Sequence, residues 1–279
     1  MVEAVSVASV GERDIEFNAG DFERVRAMIR AKAGIDLNPG KQNMVYSRLS
    51  RRLRERGYRA FRPYLDSLQT ASEAEWQEFI NCLTTNLTSF FREAHHFPIL
   101  AEHLRRRHPA PQRIWCCAAS TGEEPYTIAM TAVGTLGAQA PVTIDASDID
   151  TRVLETARMG AYSAESVASL DAGLLHRHFL KGSGANAGRV RVKPDLRGMV
   201  NFRPFNLLSD SYRGDGYDAI FCRNVMIYFD RPMQRRVLEK LHGCLRPDGL
   251  LFVGHSENFT EHRDLFSLVG KTVYSRVKS

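Results

Sequence analysis

Apolar residues in the N-terminal part of the chain recur three and four positions apart and never alternate, which predicts helices and no strand before about residue 110. Phe22, Val25, Met28 and Ile29 fall on one helical face behind Asp21 as a cap, and Gly34 supplies the stop. After the turn Asn38-Pro39-Gly40, the residues Tyr46, Leu49 and Leu53 give a second helix its apolar face, with Gly57 setting an early end. Tyr64, Leu65 and Leu68 predict a third helix, Trp76, Phe79, Ile80 and Leu83 a fourth, and His95 to Arg107 a further one.

Beyond residue 110 the pattern changes to short apolar runs separated by helical stretches, as in a parallel α/β sheet. The runs are Ile114 to Cys117, Val142 to Asp148, Val200 to Phe205, Tyr217 to Cys222, Leu250 to Val253 and Thr272 to Arg276. Helices are expected over Asp150 to Arg158 and Pro232 to Cys244, and Leu245-Arg-Pro-Asp-Gly249 reads as a turn. The stretch from about Ala168 to Met199 breaks the alternation. There His176 to Leu180 and Arg189 to Val192 have strand character and flank a glycine-rich tip, the signature of a hairpin.

The first of these runs carries the candidate chemistry. After it, Ala118 to Gly122 offer no bulky side chain, so a ligand can approach the backbone, and Glu123, Glu124 and Pro125 suit the first turn of a helix. Asp148 then closes the next strand about 20 residues on, where an acid takes ribose hydroxyls in Rossmann-like sheets. Only Gly122 remains of the full G-x-G-x-x-G, so a dinucleotide-dependent oxidoreductase is a weaker alternative reading.

Composition narrows the class. At 279 residues, with 43% hydrophobic and 25% charged, the chain has the make-up of a soluble globular protein of one large domain or two modest ones. No apolar run approaches the roughly 18 residues of a spanning helix and the start lacks an export signal, so a cytoplasmic enzyme is expected. The five cysteines show neither a disulfide framework nor C-x-x-C spacing, and no H-E-x-x-H occurs, so no metal is expected. The net charge of +6 is unevenly placed: Lys41 to Arg62 holds eight basic residues against one acid. Arg48, Arg52, Arg56 and Arg59 follow helical spacing and anticipate an acidic partner. The absence of interleaved aromatics speaks against nucleic acid.

Five ordered motifs resemble one family, the CheR-type chemoreceptor glutamate methyltransferases. They are Thr84-Thr-Asn-Leu-Thr-Ser-Phe-Phe-Arg92, Ala119-Ser-Thr-Gly-Glu-Glu-Pro-Tyr126, Ala146-Ser-Asp-Ile-Asp150, Phe221-Cys-Arg-Asn-Val-Met-Ile-Tyr-Phe-Asp230 and Gly254-His-Ser-Glu-Asn258. The resemblance implies an α/β fold: a class I S-adenosylmethionine-dependent methyltransferase (Rossmann-like) domain with an inserted small antiparallel β-subdomain, preceded by a small all-α domain. The corresponding boundaries are a tail over 1–16, helices over 17–82, a linker over 83–96 that contributes to the cofactor site, and the methyltransferase over 97–279 with the β-subdomain at about 168–199.

Carried over by motif, the cofactor contacts implied are Asn86, Thr88, Arg92, Glu123, Asp148, Asn206, Leu207, Arg223 and Asn224. The resemblance makes Tyr228, helped by Arg92, the group that holds the incoming carboxylate. The cofactor is S-adenosylmethionine, with S-adenosylhomocysteine as product. The substrate is a glutamate of a methyl-accepting chemoreceptor's cytoplasmic helices, met through Arg48, Arg52, Arg56 and Arg59. Some members also capture a receptor C-terminal tail peptide on the β-subdomain. A monomer that reaches the membrane only through its receptors is expected, and a catalytically idle receptor-binding adaptor is the alternative of a different class. His95-His96 read as helix residues at a domain seam, and His255-Ser256-Glu257 as shaping a loop over the cofactor.

Overall fold

The structure is a computed structural model that describes residues 14–212 and 216–277. It divides into two compact units, one holding the described residues up to Lys32 and Leu37–Leu83, the other Ala33–Asp36 and the chain from Thr84 onward.

Among the described residues the first unit holds four α-helices, α1 (Ala19–Ala33), α2 (Gln42–Glu55), α3 (Phe61–Ser67) and α4 (Glu73–Leu83). α1 begins where Asn18 and Asp21 exchange hydrogen bonds, each side chain accepting the other's backbone N–H at 3.0 Å, so the cap is Asn18 and not Asp21. Phe22, Val25 and Ile29 of α1 share a core with Val45, Leu49 and Leu53 of α2, Tyr64 and Leu65 of α3, and Phe79 and Leu83 of α4. α2 ends at Glu55, so Arg56 is its cap and Arg59 lies beyond the helix, off the arginine face on which the spacing had put it. Residues 1 to 13 of the expected tail lie outside the described residues, but Asp14 to Glu16 are tied down. Ile15 is buried, Glu16 N–H bonds Arg59 O at 3.0 Å, and Asp14 pairs with Arg54 at 2.8 Å.

The second unit carries a seven-stranded sheet. After α5 (His96–Arg107), the chain alternates through β1 (Gln112–Cys116), α6 (Glu123–Leu136), β2 (Val142–Asp148) and α7 (Thr151–Met159). An insertion follows, with β3 (Ala161–Ser163), α8 (Ala172–His178), β4 (Phe179–Lys181), β5 (Arg189–Val192) and α9 (Pro194–Gly198). The chain then completes the sheet with β6 (Val200–Pro204), β7 (Tyr217–Cys222), α10 (Arg231–Cys244), β8 (Leu245–Val253), β9 (Phe266–Gly270) and β10 (Val273–Arg276).

The sheet order is β6-β2-β1-β7-β8-β10-β9. β6 to β8 run parallel and β10 and β9 antiparallel. Alternate residues of the central strands feed the two faces: Ile114, Cys116, Ala219 and Phe221 pack with α5 and α6, while Trp115, Ile220 and Cys222 pack with α10. The order reverses at β1, where strands 2 and 7 lie on either side, and the crevice at the carboxyl ends there is where this class of sheet takes ligands.

The insertion differs from the predicted hairpin. Its sheet has three strands in the order β3-β5-β4, all antiparallel, and starts at Ala161 rather than about residue 168. His176 to His178 are helical because Asp171 caps α8, its carboxylate accepting the N–H groups of Gly173 and Leu174 at 2.8 and 3.2 Å, so the strand begins only at Phe179. Leu245 to Gly249, read as a turn, belongs to β8, where a register shift in the pairing with β7 absorbs the irregular segment. β9 has no counterpart among the predicted elements.

Candidate active site

The crevice is built from the turn after β1. Ser120 takes φ +47° and Gly122 φ +100°. A side chain at Gly122 would stand 2.8 Å from the Tyr162 hydroxyl and 2.9 Å from Ala157 Cβ, so the tightness of this turn requires glycine. Asp148, at the end of β2, is buried and accepts Ser120 N–H at 2.8 Å and Asp150 N–H at 2.9 Å, one on each carboxylate oxygen. The Ile149 backbone N–H also bonds this carboxylate, so three main-chain donors hold it, against about four acceptor sites on its two oxygens. Burial lifts its pKa to about 6, against the pull of those N–H groups. Glu123 opens α6, is buried, and accepts the Thr121 hydroxyl at 2.6 Å; burial raises its pKa as well.

The segment from Thr84 to Glu93 closes on this turn. Asn86 Nδ2 donates to Asp150 at 2.8 Å, as does the Thr84 hydroxyl at 2.5 Å, while the other oxygen of Asp150 caps α7. Asn86 therefore joins Asp148 through one intervening acid. Thr88 is half-buried on the same loop, and Arg92 turns its guanidinium back onto Leu87 O at 2.7 Å. Phe91 and Glu93 both hold positive φ, at +52° and +54°. With Ser120 at +47° and Asn224 at +56°, four of the five non-glycine residues of positive φ among the described residues lie around this crevice, where strain of this kind collects in functional sites.

Asn206 and Leu207 follow β6, whose last residue pairs with Asp148 and whose next residue, Phe205, donates to Asp148 O at 2.9 Å. Leu207 is buried, and Asn206 Oδ1 accepts Leu208 N–H at 2.9 Å. These two residues thus stand at the same sheet end as the acid.

Arg223, past β7, lies under the site. Its side chain is 1% exposed, ion-paired to Glu124 and, at 3.3 Å, to Glu93, and it donates to Arg92 O at 2.6 Å. Burial opposes its charge, but the two carboxylates prevail and raise its pKa. Glu93 is the mirror case: burial works to raise its pKa, while the His255 hydrogen bonds and the Arg223 charge hold it at about 2. Arg223 is therefore placed to hold the Arg92 segment against α6. Asn224 Nδ2 reaches Glu93 at 3.5 Å. Tyr228 ends a short 3-10 turn, Met226–Tyr228, and is half-buried.

Sequence reasoning did not foresee the roles of Glu93 and Glu124, whose partner Arg223 comes from a loop far along the chain. Their only signal was position inside or next to the quoted motifs. His96 is buried, its Nε2 2.8 Å from the Thr272 hydroxyl, and burial first, then the Arg223 charge, lower its pKa to about 3. It groups with Glu93 and His95 within 4.8 Å, but Glu93 is already committed to Arg223 and His255.

The four basic residues of the helical unit are not equivalent. Arg52 forms a bidentate pair with buried Glu75 of α4, which also accepts the Tyr64 hydroxyl at 3.1 Å. Arg56 stands 3.5 Å from Glu75, Arg48 donates to Leu83 O at 3.2 Å, and Arg59 is exposed.

A mixed Rossmann-like sheet that reverses at β1, a glycine turn and an acid closing β2 form the site, and the match to a SAM binding domain makes the chain an S-adenosylmethionine-dependent methyltransferase with S-adenosylmethionine as its cofactor. The fit shows in the turn itself: the Ser120 hydroxyl is buried without a partner, next to the Asp148 carboxylate that its own N–H bonds. The chain belongs to the CheR methyltransferase family. Residues 86–275 match its SAM binding domain and residues 20–84 its all-alpha domain. It is 52% identical to the chemotaxis protein methyltransferase of Escherichia coli K12 over 260 residues, 92% of this chain and 91% of that one. It is likewise 52% identical to chemotaxis protein methyltransferase 2 of Pseudomonas aeruginosa over 270 residues, 95% and 96% of the two chains. Among the described residues no helix is long and apolar enough to cross a membrane.

Proposed function

We propose that the chain transfers a methyl group from S-adenosylmethionine to glutamate carboxylates on the cytoplasmic helices of chemoreceptors, forming the methyl esters used in chemotactic adaptation. The family match favours methyl transfer over a dinucleotide oxidoreductase. The observation that carries the reading is the pairing of the Ser120–Gly122 turn with Asp148 at one strand end, and of Tyr228 with the pinned turn beyond β7.

The cofactor supplies an electrophilic methyl on sulfonium. Asp148 and Ser120 take its ribose hydroxyls, Asn206 and Leu207 flank the adenine, and Glu123, Asn86, Thr88, Arg223 and Asn224 complete or support the pocket. Arg92, released from Leu87 O, offers a two-pronged donor for a carboxylate. A substrate glutamate is ionised at neutral pH, so its oxygen needs no strong base to act as nucleophile. What the protein must do is orient that carboxylate, through the Tyr228 hydroxyl with Arg92 helping, and exclude water. The work is cytoplasmic, by a monomer that meets the membrane only through receptors, and a receptor tail peptide is held on the β3-β5-β4 sheet.

The test is incubation with methyl-labelled S-adenosylmethionine and receptor-enriched membranes. Label that enters receptor bands and is released by alkali as methanol is the expected result. Alkali-stable label, or none, overturns the glutamate assignment.

A further inference from the structure

The loop that carries Tyr228 is held by a carboxylate the reaction scheme has not used. Glu257 is 5% exposed and lies four residues beyond the end of β8. Its Oε2 accepts Gly254 N–H at 2.6 Å and Asn224 N–H at 2.9 Å, and its Oε1 accepts Val225 N–H at 3.0 Å and Met226 N–H at 2.7 Å. All four partners are main-chain donors. The three consecutive N–H groups converge because Asn224 is left-handed, the geometry of an anion-binding nest.

The opposite side of the turn is held too. Gln234 Nε2, on α10, donates to Met226 O at 2.9 Å and Phe229 O at 3.0 Å. Tyr228 N–H closes the turn onto Val225 O at 3.2 Å. Gly254 admits no side chain, since a Cβ there would lie 2.9 Å from the Asn224 backbone nitrogen. The segment from Asn224 to Phe229 is thus clamped between the loops after β7 and β8.

We infer that Glu257 is a positioning residue for methyl transfer: by gathering the Asn224, Val225 and Met226 N–H groups it fixes the turn that presents Tyr228 to the substrate carboxylate. The inference rests on the reading of Tyr228 given above. Only an ionised carboxylate suits the place. It accepts on both oxygens, whereas a glutamine would turn its own NH2 group toward two of the four donors. Holding that charge in the interior is costly, and burial raises the Glu257 pKa despite the N–H groups around it. A residue serving only to fill space would not carry this cost.

The experiment is steady-state kinetics with receptor and S-adenosylmethionine, beside calorimetric titration of S-adenosylhomocysteine, on wild type, Glu257→Gln, Tyr228→Phe and the double variant. Glu257→Gln should lower kcat by on the order of 10²-fold, the scale of a displaced reacting group, with S-adenosylhomocysteine affinity within about 3-fold of wild type. The double variant should be about as slow as the slower single one, because the two residues act as a unit. Where the glutamine variant does not fold, Glu257→Asp, which keeps the charge on a shorter arm, carries the same comparison. Losses that multiply in the double variant, or affinity that falls as far as kcat, overturn the inference. A wild-type kcat in Glu257→Gln overturns it directly, while a wild-type kcat in Tyr228→Phe instead overturns the tyrosine reading, so the two failures are told apart.

Discussion

Asp148 is the residue on which the proposed cofactor contact turns most directly. The Ser120, Ile149 and Asp150 N–H groups hold its carboxylate in place, and the proposed ribose contact would use its remaining acceptor capacity. Asp148→Ala should weaken S-adenosylhomocysteine binding by about 1 to 3 kcal/mol, the loss of charge-assisted hydrogen bonds, as read by calorimetry. The same residue predicts a pH dependence. Burial has raised its pKa to about 6, and donated hydroxyls favour the ionised form, so binding lowers that pKa. Affinity should therefore be level above about pH 6 and fall by up to about tenfold per unit below it. An Asp148→Asn variant, weaker but flat over the same range, would assign the titration to this group rather than to Glu123. Tyr228 makes the complementary case. If it holds the glutamate and not the cofactor, Tyr228→Phe should cut turnover strongly while S-adenosylhomocysteine affinity stays close to wild type, and equal losses in both would move it into the cofactor pocket.

At the level of elements, the arginine face shows what spacing can and cannot read. Helical periodicity found α2 and its apolar stripe, because Leu49 and Leu53 face the core at the intervals of a helix. It could not find Glu75, which approaches Arg52 from α4 across 23 positions of sequence. Arg52 is thus a structural member of the helical unit as well as a candidate for receptor contact. Removing it by Arg52→Ala takes away the bidentate partner of Glu75 and leaves it only the Arg56 charge at 3.5 Å and the Tyr64 hydroxyl, which should cost about 1 to 3 kcal/mol in chemical denaturation. Charge reversal at exposed Arg59, which has no part in the Glu75 cluster, is the cleaner probe of an acidic partner. It should raise the apparent KM for receptor and flatten its salt dependence while the denaturation midpoint changes little. The same limit governed the sheet. β1, β2 and β7 were legible as apolar runs because parallel strands are buried on both faces. α8 and β9 were not: a capped two-turn helix ran into its strand at Phe179, and β9 exposes Leu268 and Val269 and so lacks the buried pattern. The site residues came from motif resemblance, and the contacts that organise them, Glu257 to the loop after β7 and Arg223 to the Arg92 segment, close over distances that no local spacing encodes.

Across the molecule, the three-stranded insertion meets the cofactor turn through β3. The Tyr162 hydroxyl of β3 donates to Thr121 O at 2.9 Å, and Phe90 stands edge-on to both Tyr162 and Phe179 of β4. β5 is the central strand, so β4 presents a free edge on which Leu180 is 48% exposed, leading into the Gly182 to Gly188 tip. An extended peptide can add to such an edge, gaining main-chain hydrogen bonds from the edge and specificity from the side chains beside it. Tethering by a receptor tail would raise the enzyme's effective concentration near its substrate helices, to roughly the millimolar range for a short linker. If capture belongs to the edge and tip themselves, it should separate from catalysis, although the tip adjoins the Tyr162 register, where Tyr162 pairs with Val190 and Ala164 N–H donates to Gly188 O at 2.8 Å. A free tail peptide should bind with or without cofactor, and shortening the tip between Gly182 and Gly188 should abolish that binding while S-adenosylhomocysteine affinity is retained. Calorimetry on the shortened variant decides it: peptide binding that survives would place capture elsewhere, and a parallel loss of S-adenosylhomocysteine affinity would make the tip part of the scaffold that holds the cofactor turn.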